Sequence, residues 1–430
     1  WQVLARQFGI LDGPYIEERL LISLYKKYHS GMLDYMKDTI FAFVVSDGDV
    51  LLAARDNLGI KTLFYGYNKE KTAIYFATEL KSLLEVTDDV YEFPPGHYMD
   101  QTGKLNKFGQ LPAIATGNLI EEKAENIAKH LTELVRRSFR NRIDLNVKTA
   151  SLLSGGLDSS IIATLFNQYN QQTKGSRDKI QTFSLGVEEN EDLKHARQMS
   201  QFLDSEHFEL KVNLEDIISV LPKVIYYLES FDPSLVRSSA SNYLIAQYAS
   251  QNGIQVLLSG EGGDELFCGY DHFKEENHQT IFEEQKSCLK ALHNNAALRL
   301  DRMNACHSIK VVAPFISGEL LNFAMEIPVR YKIKKEGNEL IEKWILRKAF
   351  EQELPKNITW RTKQEFSKGS GSADALNKHF NSMITDKEFN EAKRKYPIIR
   401  NKEEYYYYQL FIKHFGDGKA VETVGQWDRT

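Results

Sequence analysis

The stretch SLLSGGLDSSIIATL, residues 151–165, places two glycines and a run of serines between an apolar segment and a helical pattern, with one carboxylate, Asp158, among them. A strand that stops at SGGLDSS and resumes as a helix aims several backbone N–H groups at one point. Gly155 and Gly156 let a ligand approach the main chain closely, and the start of a helix favours negative charge. Ser154, Ser159 and Ser160 add hydroxyl donors. Together these groups suit a phosphate, at the carboxyl end of a sheet where ligands of open α/β folds bind. Asp158 would repel a phosphate by itself, which points to a bridging Mg²⁺. The competing reading is a plain Gly/Ser turn with an aspartate capping the helix. The chain contains no Walker-type loop, in which a spaced glycine pair ends in Gly-Lys-Ser/Thr.

A second string, Ser259-Gly260-Glu261-Gly262-Gly263-Asp264-Glu265, follows the apolar run IQVLL. Carboxylates beside a glycine turn ligate Mg²⁺ or orient an attacking group. Alone, the string reads first as an acidic helix cap.

The elements that must position these residues follow from periodicity. Residues 1 to about 108 read mainly as strands and turns. Two apolar runs flank Ser46-Asp47-Gly48-Asp49 as a hairpin, TAIYFATELKSLL passes from strand to short helix, and FPPGHYMD turns into another strand. FGQLPAIATGNLIEE has neither period and reads as a linker over 109–122. From 123 onward the pattern alternates. AENIAKHLTELVRRSFRNRI is an amphipathic helix, VKTASLLSG a buried strand, SSIIATLFNQY a helix, and KIQTFSLGV and IQVLLSGEG are further strands. That alternation predicts a parallel, doubly wound α/β sheet. YYYYQLFIKHF near the end reads as a packed helix.

Composition narrows the class. The 430 residues carry a formal charge of −5, which offers no basic face for nucleic acid, and no apolar run is long enough to span a membrane. The three cysteines, Cys268, Cys288 and Cys306, have no metal-type spacing; so sparse a count without a signal segment suggests a reducing cytoplasm.

S-G-G-x-D-S-S after an apolar strand resembles the PP-loop of the N-type ATP pyrophosphatases. SGEGGDE, together with LRLDRMNACHSIKVVAPF and EKWILRKAFEQELPKNITWRTKQEFSKGSG in that order, resembles the asparagine synthetase family. The resemblance implies ATP and Mg²⁺ as cofactors, with Asp158 and Asp264 on the metal and Ser154, Gly155, Gly156, Ser159 and Ser160 around pyrophosphate. Leu152, Leu185, Ser259 and Gly260 would line the adenine and ribose pocket. Lys363 would lie against the reacting phosphates with Arg361 nearby, and Glu261 would be a catalytic carboxylate. LLAARDNLGIKTLFYG, IYFATELKSLL and FPPGHYM resemble the later part of the family's glutaminase domain, a sandwich of two sheets between helices, so residues 1–108 are expected to be a truncated αββα unit before a pyrophosphatase domain at 123–430. Thr62 stands where proline is usual.

Two departures matter. That glutaminase class uses an N-terminal cysteine, whereas residue 1 is Trp and no cysteine precedes Cys268. As written, this region is expected to act as a scaffold and not to hydrolyse glutamine; upstream sequence beginning Met-Cys would change that. After His307 the family usually continues E-x-R-x-P-F-L-D, where this chain has Lys310, Val312 and Ser317 at the three charged positions. Compensated drift and a reshaped acceptor pocket both account for that. The expected activity is ATP-dependent amide formation through an acyl-adenylate with release of AMP and pyrophosphate, from aspartate or a similar small-molecule or peptide carboxylate and ammonia or an amine. A cyclase of natural-product biosynthesis and a nucleotide-binding scaffold are the alternatives, and a homodimer is left open.

Overall fold

Residues 2–28 form two helices, α1 (Gln2–Gln7) and α2 (Ile16–Tyr28), where the sequence reading placed strands and turns. The computed structural model describes residues 1–11, 13–37, 39–109, 119–174, 178–187, 190–275, 277–337, 339–361 and 372–427. The helical period of α2 is plain in retrospect. Leu20 and Leu24 are one turn apart and buried, Glu17 and Glu18 sit in the first turn, and Lys26 and Lys27 in the last. Burying two leucines is worth about 1.5–3 kcal/mol each, which outweighs the local turn propensity that suggested otherwise.

The chain divides into two compact units. The first comprises Trp1–Ala113, Ser317–Glu319 and Gly418–Thr423, and the second comprises Ile114–Ile316, Leu320–Asp417 and Val424–Thr430. Most of the linker expected at 109–122 lies outside the described residues.

In the first unit, β1 (Ala42–Ser46) and β2 (Leu51–Arg55) pair antiparallel across the expected hairpin, with Ser46 opposite Leu51. They join β6 (His97–Asp100) and β7 (Leu105–Lys107) in one sheet, while β4 (Ile74–Ala77), β3 (Phe64–Tyr67) and β5 (Asp89–Glu92) make a second. Strand β2 is buried on both faces. Ala54 packs with Leu20, Leu24 and Leu52 beneath the helices, and Ala53 packs with Leu63, Phe93 and Met99 in a separate core that joins the sheets. With α3 (Leu80–Leu84) on the second sheet, the layers run helix, sheet, sheet, helix. Thr62, at the position where proline is usual, is buried and donates its hydroxyl to the Thr78 carbonyl at 2.7 Å.

The second unit is built on five parallel strands in the order β10 (Glu206–Val212), β9 (Gln181–Val187), β8 (Thr149–Leu152), β11 (Val256–Leu258), β12 (Lys310–Val312). From β8 the chain moves outward through β9 and β10, then returns to β11 on the other side. Between β8 and β11, paired Ala150 to Leu257 and Ser151 to Leu258, the winding direction reverses. At such a point the loops after the two strands diverge and leave a crevice at their carboxyl ends. The interiors of β8 and β9 are buried on both faces, as central parallel strands require, while the edge strand β10 is half-buried. Helices α4 (Ala124–Arg140), α5 (Leu157–Lys174), α6 (Glu191–Leu203), α7 (Leu214–Leu228) and α8 (Pro233–Gln251) provide the cover, with Ile161, Ile162, Val236 and Ala240 fully buried. The tyrosine-rich stretch near the end is the helix Lys402–Phe415, with Tyr407, Tyr408, Phe411 and Phe415 buried along with Glu403 and Glu404, as expected of a packed helix. No described helix is long and apolar enough to cross a membrane.

Candidate active site

The loop 153–156 leaves β8 and enters α5 at Leu157, so Asp158 stands in the first turn of an 18-residue helix. Gly155 has φ +70°, and a Cβ built there would lie 2.5 Å from the Ala196 amide nitrogen, so the loop is pressed onto α6 where only glycine fits. The serines hold the loop's shape. Ser159 Oγ accepts from the Ser154 amide at 3.2 Å and lies 3.0 Å from Ser154 Oγ, which accepts from the Gly156 amide at 3.3 Å. Ser160 is fully buried, and its hydroxyl has no hydrogen-bond partner among the described residues. Arg361 clamps the loop from outside, donating to Asp192 at 2.6 Å and to the Gly155 carbonyl at 3.4 Å.

The second string follows β11, on the other side of the switch point, and leads into α9 (Gly263–Phe267). Its glycines let it lie directly on the first. A Cβ at Gly260 would fall 2.6 Å from the Ser159 amide nitrogen, and one at Gly263 2.6 Å from the Asp158 carboxyl. Asp158 and Asp264 thereby meet across a single ammonium. Lys343 Nζ bonds to Asp158 Oδ2 and lies 2.5 Å from Asp264 Oδ1. Burial pushes the Lys343 pKa down, but the two flanking carboxylates outweigh it and hold the group well above the ordinary lysine value. Two carboxylates converging within reach of one cation are the hard oxygen donors that Mg²⁺ takes, usually one or two of them beside phosphate oxygens. The residues present therefore fit that ion.

Glu261 turns to Arg299, at 2.6 Å, and its amide donates to Ser259 Oγ at 3.3 Å. Glu265 is different. Its carboxyl is pushed up to about 7 by burial and then by the neighbouring Glu261 and Asp264, and Tyr270 donates its hydroxyl to it at 2.5 Å. Ser259 is buried, and its amide donates to the Val312 carbonyl at 2.9 Å. Leu152 ends β8, half-buried and opposite Phe183, and Leu185 is buried in β9. Lys363 lies outside the described residues.

The departures at 310 and 312 fall on the edge strand beside β11, where Lys310 pairs with Val256 and the Val312 carbonyl takes the Ser259 amide. Lys310 and Val312 form β12, Lys310 exposed and Val312 buried, and the segment after them backs the acidic string: a Cβ at Gly262 would lie 3.0 Å from Ile316. Arg142 holds that segment through the Ala313 carbonyl at 3.1 Å and the Ile316 carbonyl, and burial lowers its pKa to about 10. Cys288, without a metal-type spacing in sequence, does lie with His272 and Glu284, their donor atoms within 4.8 Å of one another. Glu284 takes the Cys288 thiol at 3.8 Å and faces His272 at 3.5 Å, so these groups serve as one another's neighbours in the Phe273–Ile281 core.

Sequence reasoning missed Lys343, Glu265, Tyr270 and Arg299. The i,i+5 pair Glu265–Tyr270 was visible within SGEGGDELFCGY as a carboxylate followed by an aromatic hydroxyl. Lys343 had no such signal.

A parallel sheet whose glycine loops meet at the switch point is the arrangement of a nucleotide-binding α/β scaffold, and in this chain a two-sheet sandwich precedes it in sequence. The asparagine synthase family model matches residues 130–287 and 274–428, and a glutamine amidotransferase domain model matches 17–85. A glutamine-hydrolyzing asparagine synthetase of Zea mays is 33% identical over 420 residues, spanning 94% of this chain and 71% of that protein. One from Arabidopsis thaliana is 32% identical over 427 residues, spanning 94% and 72%. Among solved structures, an NH3-dependent NAD synthetase from Campylobacter jejuni aligns with 43% of this chain and 94% of its own at 16% identity and a TM-score of 0.23. The chain belongs to the asparagine synthase family.

Proposed function

We propose that the chain is an ATP-dependent ligase that activates a carboxylate as an acyl-adenylate and converts it to an amide. The observation that carries this reading is the meeting of Asp158 and Asp264 beneath two glycine loops at the switch point of the sheet. A carboxylate oxygen attacks the α-phosphorus of ATP, the bond to the β-phosphate oxygen breaks, and pyrophosphate leaves. Ammonia or an amine then attacks the acyl carbon, AMP departs and the nitrogen loses a proton.

Each group has a part suited to its place. The serine hydroxyls of the 154–160 loop and the start of α5 would face the leaving pyrophosphate, where preorganised donors act on charge as it develops. Asp158 and Asp264 would hold Mg²⁺, which when bound offsets phosphate charge. Arg361 keeps the loop in shape through Gly155, and Lys363 would oppose the reacting phosphates. Glu261, which pairs with Arg299, would orient the acceptor or the nitrogen nucleophile.

The acceptor is read from the altered segment. Lys310 and Val312 stand where the family usually carries a glutamate and an arginine, on the strand beside β11, and the Val312 carbonyl takes the amide of Ser259 at the start of the acidic string. That favours a carboxylate other than free aspartate, either a bulkier amino acid or a peptide as in a cyclase-like relative. Pyrophosphate release measured with aspartate, glutamate and peptide carboxylates in parallel is expected to rise only with the larger acceptors, aspartate falling behind by about 10²-fold in kcat/KM. Saturation by sub-millimolar aspartate with asparagine as product would reject the altered acceptor and leave the ligase reading standing.

A further inference from the structure

We propose that Lys343 is the resident counter-ion of the metal site, holding Asp158 and Asp264 in place and releasing both carboxylates when a divalent cation binds between them. This rests on the reading of those two aspartates as metal ligands. Lys343 lies in IEKWILRKAF, within a segment that carries the family resemblance but from whose first half no site residue was read, yet its side chain is only 4% exposed and ends between the two carboxylates. The surroundings are shaped for it. Lys343 takes a left-handed φ of +53° at the start of the helix Trp344–Phe350, a conformation disfavoured for a non-glycine residue. The neighbouring frame fixes that backbone. The Lys343 carbonyl accepts from the Arg347 amide at 3.0 Å, and the Arg347 guanidinium grips Glu342 and the Thr359 and Arg361 carbonyls. Gly269 stands where any Cβ would collide with both the Asp264 carboxylate and the Lys343 chain. Gly263 leaves the same room beside Asp158. An arrangement that tight, with a strained backbone and two glycines, positions an ammonium at the point where the aspartates converge.

The electrostatic consequence concerns order. Two carboxylates alone present two negative charges to a cation, and with Lys343 between them the set presents one. A divalent ion arriving alone must displace a buried ammonium that then has no anion, which is strongly unfavourable. An ion arriving with a nucleotide brings phosphate charge for the displaced ammonium to meet. Lys343 thus couples metal binding to nucleotide binding.

The test is Mn²⁺ binding to the full chain without nucleotide, followed by the electron paramagnetic resonance of free Mn²⁺. Lys343→Met and Lys343→Gln, checked for folding by circular dichroism, are expected to bind Mn²⁺ about tenfold or more tightly than the starting protein, since a repelling unit charge is removed within a few ångströms. Lys343→Arg keeps the charge and is expected to stay within threefold. A lysine with a merely structural role would leave the affinity unchanged or weaken it. Neutral variants that bind no tighter, while Asp158→Asn and Asp264→Asn still weaken binding, would overturn the proposal. Binding indifferent to both aspartates would instead overturn the reading of them as ligands. If Lys343→Met does not fold, Lys343→Gln, which retains a donor for the two carboxylates, decides the same question.

Discussion

Asp158→Asn is expected to slow pyrophosphate formation by on the order of 10²-fold or more at saturating substrate, because it removes a metal ligand where charge develops on the leaving group. The substitution is nearly isosteric, and Lys343 keeps its contact with Asp264, so no buried cation is abandoned. The first turn of α5 also retains a residue able to accept hydrogen bonds. Secondary structure by circular dichroism should therefore match the starting protein, which separates loss of chemistry from loss of fold. Initial rates of pyrophosphate release check the prediction. A rate within threefold of the starting value would remove Asp158 from the chemistry and return the opening string to its plainer reading, a capped turn.

Gly155→Ala should be nearly as severe by another route. At φ +70° an alanine carries a conformational penalty of about 1–2 kcal/mol. Its methyl group would also meet the Ala196 amide at 2.5 Å and the His195 carbonyl carbon at 2.5 Å, backbone atoms that cannot rotate aside. The loop must then lift from α6, taking the Gly155 carbonyl away from Arg361 and the serine hydroxyls of the 154–160 loop out of alignment. The expected result is at least a 10²-fold loss of ATP affinity, measured by equilibrium dialysis or calorimetry, with a fall in stability of about 1–3 kcal/mol by denaturant titration. Unchanged nucleotide affinity would show that the loop's shape does not set the binding site.

The fold and the site were legible to different depths. The parallel sheet could be read because its strands are apolar runs between amphipathic segments, and a buried parallel strand leaves little else for such a run to be. Helix α2 was misread although its period is clear, because the turn-rich hairpins after it coloured the whole region. The two glycine strings were legible because glycine marks close approach, and the structure shows the approach at Gly260 and Gly263. Lys343 was not legible. A lysine ahead of an amphipathic helix looks like any solvated lysine, and its burial depends on two carboxylates 185 and 79 positions earlier, a tertiary fact with no local trace. Glu265 was hidden for a related reason. Beside Asp264 in sequence it seems its equal, yet the turn of α9 sends one carboxylate to Lys343 and the other to Tyr270.

The central claim is an acyl-adenylate, and one labelling experiment reaches it directly. A carboxylate substrate that supports turnover is labelled with ¹⁸O in the reacting group and incubated with ATP, Mg²⁺ and ammonia, and the nucleotide and phosphate products are analysed by mass. Attack on the α-phosphorus predicts AMP carrying one ¹⁸O, with unlabelled pyrophosphate. Formation of ADP with the label in inorganic phosphate would mean attack at the γ-phosphorus, and would contradict the reading of the 154–160 loop as a pyrophosphate cradle.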